Sequence, residues 1–280
     1  MRKIFRRIVW GSIAAGLGTM AWAGSASAAV NISACGTLED FRQTYNVTAD
    51  LHAADGGDCL VVANNGITIN LQGHSIIQDG AVAVGSGITD GAIHRDQIVV
   101  RNGSIEKFGI GIELDSTTRV QILDVSVHDS VVDGILVGNN SLVNRATVED
   151  NGFGSILGGD GIRGADSVQI QASKASNNAL AGIRVGQRCL VTQNTAGGNL
   201  EDGINTQGRC TVSRNTANDN VDDGIDVEAS GGVVTANVTN DNFVAGTRVV
   251  CPTTVTNNQS SGNGENYELI GTNCVFTNNK

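Results

Sequence analysis

Between residues 183 and 224 the chain writes one line twice: IRVGQRCLVTQNTAGGNLEDG is followed by INTQGRCTVSRNTANDNVDDG. Within these lines apolar residues alternate with polar ones, Ile183 with Val185 and Cys189 with Val191, then Cys210 with Val212. A period of two is that of a strand with one buried face, and Asn, Asp and Gly punctuate the short runs as turn residues do. A Gly-Ile step opens successive lines at Gly134-Ile135, Gly161-Ile162, Gly182-Ile183, Gly203-Ile204 and Gly224-Ile225, with Gly246-Thr247 as a degraded copy. The isoleucines are spaced by 27, 21, 21 and 21 residues. A line of that length cannot bury its own apolar face, so the period predicts a solenoid of stacked short strands about 4.8 Å apart. Helical solenoids are excluded by the period of two, leucine-rich repeats by the missing leucine consensus, and a disordered Gly/Asn-rich segment by the register of isoleucine.

The polar positions repeat as strictly as the apolar ones. Asparagines fall in two columns, Asn194, Asn215, Asn237, Asn258, Asn279 and Asn178, Asn199, Asn220, Asn242, Asn263. Stacked coils turn such columns into ladders of side-chain amides, a structural use, because a binding site has no need of one residue on every turn. Aspartate precedes the glycine at Asp133, Asp160, Asp202 and Asp223. One reading is turn chemistry, with glycine supplying positive φ and aspartate bonding nearby amides. A sharper one notes that Glu201-Asp202 and Asp222-Asp223 lie on consecutive turns, where gathered carboxylates favour an oxygen-ligated cation, with calcium the one cofactor suggested.

Composition narrows the function. The opening MRKIFRRIVWGSIAAGLGTMAWAGSASAA has a basic start, an apolar middle and small residues before a cleavage point after Ala28, which reads as a secretory signal over 1–28 and a secreted or periplasmic destination. Its removal leaves 14 basic against 28 acidic residues, a balance of −14 that excludes nucleic acid as a partner. No later apolar run is long enough to span a bilayer. Six cysteines in an exported chain read as a disulfide framework with fifteen formal connectivities. Cys189 and Cys210 share a column on adjacent turns, either bonded or stacked as buried thiols, and Cys251 with Cys274 would staple the last coils. The histidines form no catalytic or zinc set, and His94 and His128 stand alone as base candidates. The line after Ile135 carries an extra GFGSILGGD at 152–160, which predicts a projecting loop.

The N-x-x-x-x-N-x-x-D-G-I lines and the opening coil CLVVANNGITINLQGHSI resemble the right-handed parallel β-helix proteins of the pectate-lyase-like superfamily, over roughly residues 35–280. The resemblance implies an all-β, single-stranded right-handed parallel β-helix of about nine to ten coils with about 21 residues each, preceded by an N-terminal cap at 29–58. It also implies that Cys59 pairs back to Cys35. No subfamily's active-site signature is present, so the resemblance is weak for activity.

If Ile112, Ile135, Ile162, Ile183, Ile204 and Ile225 point inward, then Glu113, Leu136, Arg163, Arg184, Asn205 and Asp226 stack on the outer face, the one part of the strand the repeat does not hold constant. Arg163 and Arg184 then stand on adjacent turns, where a substrate carboxylate fits between them unless they pair with neighbouring Glu or Asp. In lyases of the resembled superfamily a basic side chain on a comparable face takes the proton beside a uronate carboxylate. The resemblance thus makes Arg163 or Arg184 the base, with Glu113, Asn205 and Asp226 as substrate contacts and Asp226 alternatively a cation ligand. Two functions remain open: a polysaccharide-binding or polysaccharide-cleaving protein of lyase or epimerase type, or a non-catalytic envelope or surface module, in either case expected as a monomer.

Overall fold

Ile112, Ile135, Ile162, Ile183, Ile204 and Ile225 lie one above another, each fully buried and each pair of neighbours in parallel register. They form the inner face of one sheet of a right-handed parallel β-helix, seen in a computed structural model that describes residues 28–54, 56–80, 84–156 and 158–280. The segment read as a signal lies outside the described residues except for Ala28. That sheet has eleven strands, one per coil, among them Ile162–Gly164, Ile183–Val185, Ile204–Thr206, Ile225–Val227 and Ala245–Val250. The coils number about eleven at about 22 residues each rather than nine to ten at about 21. The difference arises at the start, where Gly36–Leu38 and Leu60–Val62 pair into the same sheet without a Gly-Ile marker, the first of them inside the segment expected as a cap, while Ser86–Thr89 carries the marker in Gly87-Ile88.

The remaining strands make a 20-stranded sheet that folds round the other two sides. Its inner columns are Ile122, Val143, Ile170, Val191, Val212, Val234 and Val255 on one side, and Val127, Val148, Ala175, Ala196, Ala217 and Thr239 on the other. Each Val or Ile buried here contributes about 1.5–3 kcal/mol, and each Ala less. Among the described residues there is no helix, hence none long and apolar enough to cross a membrane.

The chain turns its corners at left-handed residues that are not glycine: Gln193, Arg214 and Ala236 have φ of 60°, 57° and 57°. Each costs about 1–2 kcal/mol, and each is followed by an inward asparagine. Asn215 Nδ2 donates to Val191 O at 2.9 Å and to Asn237 Oδ1 at 3.0 Å, while its backbone N–H donates to the same Oδ1 at 2.9 Å. The amide therefore serves the peptide groups freed by the bend, coil after coil, and the second ladder from Asn151 through Asn263 repeats the pattern. This is the structural use expected of both columns.

The Gly-Ile glycines do not supply positive φ, contrary to the expectation for them. A Cβ on Gly203 would lie 2.6 Å from Gly224 O and 2.7 Å from Asn220 Nδ2, so glycine is needed for the close approach of consecutive coils and the amide ladder between them. Disulfides join Cys35 to Cys59, Cys189 to Cys210 and Cys251 to Cys274, one near each end of the stack and one in its body.

Candidate functional site

On the outer face of the eleven-stranded sheet, Glu113, Leu136, Arg163, Arg184, Asn205, Asp226 and Arg248 follow one another in register. The pleat puts each on the opposite side of the strand from the stacked isoleucines. The first six are the column expected from the repeat. Arg248 was missed because its coil opens with Gly246-Thr247 rather than Gly-Ile; its signal is its place one coil after Asp226.

The aspartates before each glycine form a second ladder beside this column. The Asp160 amide donates to Asp133 Oδ1 at 2.6 Å, the Asp223 amide to Asp202 Oδ1 at 3.1 Å, and the Ala245 amide to Asp223 Oδ1 at 2.8 Å. Turn chemistry and carboxylate gathering are thus both realised: one oxygen caps the next coil, and at Asp160 and Asp202 the other accepts from the outer-face side chains of Arg184 and Asn205. Asp202, Asp223 and Asp226, all buried, bring carboxylate oxygens within 4.8 Å of one another. Burial first, and then their mutual repulsion, pushes the carboxyl of Asp223 up to about 6 and that of Asp226 up to about 7, and burial also raises Asp202.

Two oxygens beside these carboxylates lack any partner. Asp226 Oδ1 and Asn205 Oδ1 are buried without a hydrogen bond, although Asp226 is 5% and Asn205 2% exposed. Asn205 Nδ2 donates to Asp202 Oδ2 and to Glu228 Oε1, both at 2.9 Å, which holds the amide against the cluster. An all-oxygen donor set carrying surplus negative charge fits a hard divalent cation of the calcium type, which takes six to eight oxygens. The ligands are only partly those expected: Asp202 and Asp223 belong to the cluster, while Glu201 accepts from Arg184 and Asp222 faces solvent. Adjacent residues of a turn point opposite ways, so each acidic pair sends only its second member inward, and Asp226 on the following strand supplies the third carboxylate.

Arginines bracket the cluster. Arg184 Nε donates to Asp160 at 3.0 Å and its Nη2 to Glu201 at 2.7 Å; burial works against its charge, but these carboxylates outweigh it and hold the guanidinium above its ordinary pKa. Arg248 Nη1 donates to Asp226 Oδ2 at 2.9 Å and its Nε lies 3.2 Å from Glu268. Arg163 is exposed and makes no ion pair among the described residues; it lines a shallow depression with Asp115, Leu136 and Gly164. The arginines therefore divide: Arg184 pairs with neighbouring carboxylates and Arg163 does not. Glu113 accepts from Ser86 Oγ at 2.7 Å and lies about 24 Å along the stack from Asp226, five coils away. The structure thus gathers Arg184, Asn205, Asp226 and Arg248 around the cluster, leaving Glu113 and Arg163 toward the N-terminal end. His128 lies on another side, 3.0 Å from Asp129 and 3.7 Å from Glu106.

With this geometry in view, the chain belongs to the right handed beta helix region family, whose model matches residues 109–280. The fold is shared with the periplasmic alginate epimerase AlgG, at 14% identity over 85% of this chain and 76% of that one with a TM-score of 0.56. It is shared also with the Dettilon tailspike protein gp208 (14% identity, 85% of this chain and 60% of that one, TM-score 0.60). Pectate lyase Pel9A is a third (12% identity, 87% and 70%, TM-score 0.50). At such identities the likeness is one of fold. Among curated proteins there is no match.

Proposed function

We propose that this is an exported protein that binds an acidic, uronate-containing polysaccharide through a cation held by Asp202, Asp223 and Asp226, and acts on it by removing the proton beside the uronate carboxylate. The observation that carries the reading is the buried three-carboxylate cluster with two unpartnered oxygens, opening on the outer face between Arg184 and Arg248. The likeness of fold to proteins titled alginate epimerase and pectate lyase supports it, as do three disulfides in a chain with a signal-like start.

Calcium in that cluster would polarise the bound carboxylate and make the neighbouring C–H more acidic. Arg184 and Arg248, held charged by their carboxylate partners, orient the substrate carboxylate and stabilise charge as it develops. A proton acceptor has to be neutral and within reach, directly or through one water, of the C–H it acts on. Arg163, the arginine of this face without an ion-pair partner, stands three coils and about 14 Å from Asp226; it meets the carboxylate of a neighbouring sugar toward the 152–160 loop, and a solvent water accepts the proton. Removal of the proton leads to β-elimination if the glycosidic oxygen leaves, or to epimerisation if a proton returns from the other side.

A second reading, a non-catalytic envelope or surface module, is favoured by the ion pairs of Arg184 and Arg248, which leave so few free bases on this face. Incubating the protein with polymannuronate, polyguluronate and polygalacturonate, with calcium and with chelator, separates the two. Unsaturated ends or changed C5 configuration with calcium alone supports an enzyme. Binding without product supports a lectin-like module, and no binding leaves the structural module.

A further inference from the structure

The carboxylate cluster already holds one positive group of its own. Arg248 Nη1 donates to Asp226 Oδ2 at 2.9 Å, and among the described residues no other Lys or Arg forms an ion pair with Asp202, Asp223 or Asp226. Burial, then Asp202 and Asp222, raise the carboxyl of Asp223, and the Arg248 guanidinium works against them. One guanidinium faces three carboxylates, so the group keeps a negative surplus, and Asp226 Oδ1 beside the ion pair has no hydrogen bond.

Arg248 is shared between two coils. Its strand, Ala245–Val250, lies between Ile225–Val227 and Glu265–Ile270, with Asp226 in register on one side and Glu268 on the other. Its Nε lies 3.2 Å from Glu268 Oε2. The two partners differ in their surroundings: the Asp226 side chain is 6% exposed and that of Glu268 41%. Contact with Asp226 draws the guanidinium toward a buried carboxylate at a cost in hydration, whereas contact with Glu268 leaves it in water. Rotation about the outer torsions of the side chain carries it from one partner to the other with the backbone unmoved.

A cation that takes Asp226 Oδ1 comes to lie one carboxylate away from this guanidinium, and two positive groups on one buried carboxylate repel each other strongly. Arg184 is not in this position, since its Nε and Nη2 are engaged by Asp160 and Glu201, outside the cluster. We infer that Arg248 is a built-in counter-charge of the cluster, that a divalent cation displaces it from Asp226 onto Glu268, and that its Nη end is then free to take a carboxylate ligand. The inference rests on the cation site proposed above and adds the regulation of that site. Arg248 sets the cation concentration at which the site fills, and Glu268 sets how readily Arg248 leaves. The coupling between cation and ion pair is one quantity, equal in both directions.

The test is calorimetric titration of calcium into the full protein and into Arg248→Gln, Glu268→Gln and the double variant. Glutamine at 248 keeps a donor for Asp226 while removing the charge, and the melting temperatures check that each variant is folded. Arg248→Gln is expected to bind calcium about ten-fold more tightly, a coupling at the modest end of the usual range because the guanidinium is partly exposed. Glu268→Gln is expected to weaken calcium about three-fold in the wild type, where Arg248 loses its second partner, and to change nothing in the Arg248→Gln background. Loss of a distant negative charge alone would act equally in both. Peptide mapping after phenylglyoxal treatment is expected to show Arg248 modified several-fold faster with calcium than with chelator, and Arg184 at one rate in both. Calcium affinity unchanged in Arg248→Gln, a Glu268→Gln effect of the same size in both backgrounds, or Arg248 reactivity indifferent to calcium overturns the exchange and spares the cation site. Absence of calcium binding in the wild type and in Arg248→Gln alike overturns both.

Discussion

The backbone amide of Asp223 donates to Asp202 Oδ1 at 3.1 Å, so two carboxylates one coil apart are fastened together by the stack itself, whatever their charge. Asp226 completes the group, and what balances its charge is either a proton or a cation. With folded pKa values of about 6 for Asp223 and about 7 for Asp226, the native protein binds more protons than the unfolded chain between about pH 4 and pH 7. Stability from these groups is fully present below the unfolded pKa and is lost as the pH rises through the folded one. Without divalent cation the melting temperature should therefore drop across that window relative to Asp226→Asn, and millimolar calcium should abolish the drop. A wild-type curve parallel to that of Asp226→Asn contradicts this.

The two arginines first singled out should behave differently. Arg163→Ala removes an exposed side chain with no ion pair among the described residues and is expected to leave the melting temperature unchanged while weakening polymer binding. Arg184→Ala strips the carboxylate of Asp160, which is 2% exposed, of its charged partner. It is expected to cost about 3 kcal/mol, near the lower end for breaking a buried pair because Arg184 itself is partly exposed. Thermal denaturation of both variants beside a polymer-binding assay checks this, and equal stability losses would count against it.

Asn215 sits mid-ladder with partners in the coils before and after it, whereas Asn279 ends the same ladder. Asn215→Ala strands a buried carbonyl and a corner amide and should cost about 2–4 kcal/mol; Asn279→Ala should cost less than about 1 kcal/mol. Denaturant unfolding of the two variants compares them directly, and similar costs would mean the ladder does not act as a continuous element.

Most of the fold was legible because a solenoid repeats its own evidence. The register of Arg163 on Arg184 and of Asn205 on Asp226 follows from counting residues between isoleucines, and the asparagine columns follow from the same count. The first two coils were not legible, since Gly36 and Leu60 stand in the column of Ile88 and Ile112 without the Gly-Ile marker. The cation cluster was half legible. Spacing places Glu201-Asp202 over Asp222-Asp223, but which member of each pair turns inward depends on backbone dihedrals in the turn, and these are set by the amide ladder rather than by the acidic residues. Arg248 escaped notice because Thr247 replaces isoleucine.

The most direct measurement is calorimetric titration of calcium into the apo protein at about pH 8, above the raised carboxyl pKa values. One site is expected in the wild type. It should be lost in Asp202→Asn, Asp223→Asn and Asp226→Asn, and retained in Glu201→Gln and Asp222→Asn, whose side chains lie outside the cluster. Absence of binding in the wild type, or binding that survives all three Asp→Asn changes, would contradict a cation centre built from Asp202, Asp223 and Asp226.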